Sequence, residues 1–250
     1  MSKISLYHLY KLIFRSIALG VALTLYIYNL LTADKTYEQA LKRPAVLLVV
    51  WGVFAVEIFL RLFPSRTESM GCQKQFLKNY KPKPLPPDRQ SFIKTFIMAM
   101  LWLAADGTVV LLYLFSVIDA GLVVLYCLFL SVLDIICILF FCPFQTFVMK
   151  NKCCATCRIY NWDYIMMFSP LFFIPSFFTV SIAALSLVLF LEWEIIYRLH
   201  PERFCESANA SLDCENCKEK LCAHKTQLRK FLKSRKRKNQ KRNENSEICK

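Results

Sequence analysis

Apolar residues run along this chain in long blocks, and the polar residues collect between them. The first block, 12–31, is twenty residues long, enough for a helix to cross a hydrocarbon core of about 30 Å. It is longer than a signal-peptide core, and Tyr26, Tyr28 and Asn29 stand where a small-residue cleavage site would lie, so it predicts an uncleaved anchor. Arg15 is close enough to the predicted interface to snorkel. A second crossing is predicted over 44–63, where Glu57 and Arg61 are spaced to pair on one helix face. Residues 92–142 suit two helices, 95–116 and 122–142, with a tight turn near 119–121. The last apolar block, 165–199, is too long for one plain crossing and too short for two, and Pro170 and Pro175 break its start.

The polar segments set the expected orientation. The loop 64–94 carries seven Lys and Arg, and its KPKPLPP stretch predicts extended polyproline backbone. Positive loops stay cytoplasmic, which places this loop, the N-terminus and the Cys-containing loop 143–164 on the inner side. A single crossing by 165–199 would then send the basic tail, 227–250, outside. Two topologies meet this conflict. In one the proline segment is re-entrant and returns the tail to the cytoplasm. In the other the tail is external, since the orientation rule counts only charges near helix ends. Charge bias favours the cytoplasmic tail.

The fold class expected is therefore all-α: a polytopic integral membrane helix bundle over 1–199, then a small Cys-rich soluble module over 200–226 and the basic tail, in a bacterial plasma membrane. Composition supports this, because 56% of the residues are hydrophobic against about 45–50% in soluble domains. The formal charge of +14 suits an anionic partner. Residues 227–242 hold a run of Lys and Arg without an acid, with Leu228, Phe231 and Leu232 on one helix face, a pattern for anionic lipid headgroups. Nucleic acid is a poorer fit, since no aromatics beyond Phe231 are interleaved for stacking. With five glycines and no glycine-rich loop, phosphate-cradling motifs are nearly excluded. No serine, histidine and acid grouping supports a hydrolase, so an enzyme has the least support.

Twelve cysteines carry the first candidate chemistry. Cys214 and Cys217 have the Cys-x2-Cys spacing that turns two thiolates onto one metal, and Cys205 and Cys222 can complete four ligands. His224 can replace one of them. Cys154 and Cys157 form a second half-site, with Cys153 beside them. From Cys214 to Cys222 the spacing is similar to the start of a zinc knuckle, and the remaining ligands depart from it. Structural zinc and an iron–sulfur cluster both suit these thiols. Reduced thiols without metal, or a disulfide if the tail is external, are the alternatives.

Asp106 and Asp134 carry the second. Counted from the 119–121 turn, they should differ in depth by only ~3 Å. An intramembrane carboxylate costs at least about 2.5 kcal/mol, so it is retained for a reason or protonated. The two could share a proton or hold a cation, or simply hydrogen-bond between helices. No basic or histidine partner is expected at their depth, and His8 and His200 are expected at the interface in contact with solvent. The functions these features suggest are, in order, a membrane-anchored metal-binding protein with redox or electron-transfer work as its most specific version, a small ion-coupled transporter using Asp106 and Asp134, and a non-catalytic membrane scaffold with structural zinc.

Overall fold

A computed structural model describes residues 3–32, 44–63, 75–84, 86, 92–149 and 156–213. Among them the regular structure is helical and no strand forms. The six α-helices are α1 (Lys3–Thr32), α2 (Pro44–Leu62), α3 (Phe92–Leu114), α4 (Ala120–Leu139), α5 (Asp163–Phe168) and α6 (Phe177–Leu199). Four of them, α1, α3, α4 and α6, are long and apolar enough to cross a membrane. Their outward faces carry large apolar side chains, among them Phe92, Phe96 and Leu103 on α3 and Val188 and Leu191 on α6, as a lipid-facing surface requires. The helix α2 is 19 residues long; its bounds agree with the expected second crossing within a residue, and it is not one of those four.

Local chemistry sets the turn between α3 and α4. Ser116 adopts a positive φ of 57°, and the Asp119 carboxylate caps α4 by accepting from the Leu122 backbone N–H at 2.8 Å. The helix α4 ends at Leu139, short of the expected Cys142, and a π-helix (Phe144–Met149) follows where a polar loop was expected.

Antiparallel packing of α1 on α4 fixes the order of the ends. Arg15 donates to the Ser131 carbonyl at 2.8 Å, and the Tyr26 hydroxyl to the Asp119 carboxylate at 3.2 Å. The start of α1 therefore lies at the same end of the bundle as the end of α4.

The region 165–199 turns at its prolines and returns to its starting end, as in the first expected form, and the returning leg is a full-length helix. The helix α6 is continuous over 23 residues, and the break lies ahead of it. The chain enters as α5, tightens into a 3₁₀ stretch (Ser169–Phe173) and runs extended through Ile174 and Ser176. Six α, five 3₁₀ and three extended residues reach up to ~29 Å, nearly a full crossing. Side-chain contacts follow that climb. Asp163 at its foot pairs with Arg61 at the end of α2, while Ser181 beyond its top accepts from Trp51 Nε1 in the first half of α2 at 2.8 Å. Prolines and a 3₁₀ turn thus interrupt this leg, and α6 returns to the starting end.

Three segments converge at that end. Residues 80–84 pair with 208–210: Pro82 bridges Asn209, Lys83 N–H donates to Ala208 at 3.0 Å, and Ala210 N–H to Lys81 at 2.9 Å. Asn209 is fully buried there and holds the turn by bonds to the Arg203 carbonyl and the Ser211 N–H. Lys83 pairs with Asp213 at 2.6 Å. Asn161 donates to Gln75 at 2.9 Å, and Trp162 Nε1 to Glu194 at 2.6 Å. The core beneath is aromatic, with Phe54 on Phe168 edge-to-face at 5.0 Å and Phe76 on Trp193 at 5.3 Å.

Candidate functional site

Among the described residues, two arrangements bring the expected charged residues together inside the bundle. The first is a network at the end where α1 begins. The Arg15 guanidinium is buried, with 1% of its side chain exposed. It bonds Glu57 of α2 at 2.5 Å and stands 3.6 Å from Asp134 of α4. Lys11, one helical turn before it, lies 3.6 Å from the other oxygen of Glu57, and the Tyr164 hydroxyl donates to Glu57 at 2.9 Å. Arg61 pairs with Asp163 and stacks on Tyr164, its guanidinium carbon 5.0 Å from the ring centre. Lys11, Arg15 and Arg61 thus face Glu57, Asp134 and Asp163, and the formal charges cancel. In a poorly hydrated interior such matching is what allows ionised groups at all.

This network corrects several expectations. Glu57 and Arg61 do not pair along their own helix, because α1 and α5 each supply a better placed partner. Arg15 does not snorkel: the antiparallel fit of α1 on α4 points it at Ser131 and Asp134. Asp134 has a basic partner after all. His8 is buried at 2% exposed, whereas His200 is exposed and pairs with Glu202 at 3.0 Å.

The second arrangement is a cavity of about 350 Å³ between α3, α4, the π-helix and α5. Asp106 and Asp134 both line it, yet they do not meet. Asp106 accepts from Tyr126 of α4 at 2.9 Å, and Tyr126 lies two turns before Asp134, about 12 Å along the helix axis. The expected match in depth fails because α3 and α4 are offset by the turn between them. Asp106 also accepts from Trp102 Nε1 at 2.6 Å and from the Ser169 hydroxyl at the 3₁₀ break. Trp102 was legible in advance, being four residues before Asp106 on one helix. Tyr126 and Ser169 come from distant sequence and were not. These three donors offset part of the cost of burying the carboxylate. Asp134 and Asp163 have cations behind the cavity wall, whereas Asp106 forms no ion pair among the described residues.

Of the expected metal ligands, Cys214, Cys217, Cys222 and Cys154, with Cys153 and His224, lie outside the described residues, as does the basic tail. Cys205 sits in the folded segment after α6, its sulfur 3.0 Å from the Ser207 hydroxyl, and Cys157 lines the cavity. Among the described residues no three His, Cys, Asp or Glu side chains are grouped to hold a metal ion. Comparison with protein-family models, with curated proteins and with solved structures finds no match to this chain.

Proposed function

We propose that this protein is a small ion-coupled membrane carrier whose substrate occupies the cavity between α3, α4 and the broken segment 163–176. The observation that carries this reading is Asp106: a buried carboxylate facing a cavity, held by three neutral donors and balanced by no cation among the described residues. Such a group holds either a proton or a cation from solution, and exclusive occupancy by the two is the elementary step of exchange. The broken segment adds support, since interrupted helices beside a cavity are where carriers place their sites, and Ser169 puts the break itself on Asp106. The basic loop 64–94 favours a cytoplasmic position for both ends of the chain. Reconstitution on a solid-supported membrane tests the reading: a panel of amines, amino acids and inorganic cations should include one that evokes a proton-coupled current, and Asp106→Asn should abolish it. A panel without current in the wild type rejects the carrier.

A second reading keeps the cysteine metal centre. It is favoured by the common end of Cys157 and Cys205, since the segments carrying them both pack around Trp193 and Glu194 near the end of α6. Metal and sulfide analysis of anaerobically purified protein tests it: iron with sulfide supports a redox centre, one zinc supports a scaffold, and neither removes the reading.

A further inference from the structure

The sign and texture of the cavity wall identify what it can take. Its lining is apolar and aromatic, with Trp102, Tyr126 and Tyr160 among it, and it includes three carboxylates, Asp106, Asp134 and Asp163. Among the described residues no Lys, Arg or His contributes to it. Asp134 and Asp163 are answered from outside the wall by Arg15 and Arg61. Among the described residues one carboxylate, that of Asp106, therefore remains for an occupant to balance when it is ionised, inside a space of about 350 Å³, within the usual range of about 300–1,000 Å³ for small-molecule sites. An inorganic cation is a poor match. Mg²⁺ or Ca²⁺ needs several oxygen ligands or retained waters, and Asp106 is surrounded by donors and hydrocarbon. An anion would meet three carboxylates. A molecule with an apolar body and one positive charge fits both features: its body fills the apolar wall and its charge sits against Asp106.

We propose that the cavity binds a lipophilic organic cation, anchored by Asp106 and flanked by Trp102 and Tyr126. This rests on the carrier reading for its biological sense, but the binding itself is separable from flux.

The test uses the purified full chain in detergent and two probes of nearly the same shape and opposite charge, tetraphenylphosphonium and tetraphenylborate. Equilibrium dialysis should show saturable binding of tetraphenylphosphonium at one per chain, weakened at least tenfold by Asp106→Asn at equal detergent. Tetraphenylborate, dialysed separately, should not bind saturably. Equal binding by Asp106→Asn, or equal saturable binding of the anion, would mean an apolar hole without charge selection and overturns the proposal. Thermal melting of the variant checks its fold. If that variant is unfolded, Leu130→Trp, which fills the cavity and leaves the carboxylates in place, takes over: it should remove binding, and its binding like wild type overturns the proposal. Saturable binding without proton-coupled current in the reconstituted protein rejects the carrier and keeps this ligand class. Current evoked by other substrates, with no tetraphenylphosphonium binding, does the reverse.

Discussion

Arg15 shows how far a single residue's role depends on what the fold brings to it. Its guanidinium bonds Glu57, stands by Asp134 and lies 5.1 Å from the centre of the Phe54 ring. Arg15→Met leaves a buried carboxylate, Glu57, and a half-buried one, Asp134, short of a partner, and removing one member of such a set costs about 3–5 kcal/mol. The double variant Arg15→Met, Glu57→Met should lose clearly less than the sum of the two single losses, because it removes the unpaired charge as well as the pair. Thermal unfolding in detergent measures both, and additive losses would contradict the pairing. Asn209 is the second test at this scale. It is fully buried and satisfies the Arg203 carbonyl and the Ser211 N–H, so Asn209→Ala should cost about 1–3 kcal/mol through the groups left unsatisfied. Limited proteolysis should then cut first near 203–213. The spacing of Glu57 and Arg61 suggested a pair within one helix. Spacing reports only neighbours on the same cylinder, and in a bundle the nearer partner is often on another one.

The decisive element is the stretch from Asp163 to Ser176. Its composition marked it as broken, since proline cannot continue a helix without losing a hydrogen bond. Its length as a helix would be ~21 Å, against up to ~29 Å for the observed mixture of α, 3₁₀ and extended backbone. Replacing Pro170 and Pro175 together with Ala should let the helix extend and draw the start of α6 inward, breaking the Trp51–Ser181 bond. Circular dichroism should report added helix, and the emission of Trp51 should shift. An unchanged spectrum would mean that packing of Leu171 and Ile174 in the core, rather than the prolines, sets the backbone there. The helices themselves were readable to within a few residues at most ends, because an apolar run as long as a bilayer is thick has few other uses. The start of α1 was missed by nine residues, since Lys3, His8 and Lys11 read as an interface and in fact continue the helix.

For the molecule as a whole, the contacts of 80–84 with 208–210 place the segments after α2 and after α6 at one end of the bundle. The start of α1 lies there too, through the antiparallel fit of Arg15 and Tyr26 on α4. Reporter fusions at the two termini should therefore report the same side of the membrane, and a glycosylation acceptor inserted at 116–119 should report the other. Termini on opposite sides would contradict the arrangement. Lys83–Asp213 is partly exposed, so its loss should change stability by no more than about 1 kcal/mol and leave the topology intact.

The sequence alone determined that the apolar segments are helical, roughly where four of them run, and that Asp106 and Asp134 lie within two of these, because each follows from a property of one segment: its length, its hydrocarbon content, or a charge interrupting it. Tertiary structure decided which charges pair, that Asp106 and Asp134 stand at separate levels of one cavity, and that the proline segment climbs far enough for α6 to return. Those depend on the offset and order of several helices packed together. An ion pair or a cavity wall is a relation between segments, and no single segment carries it.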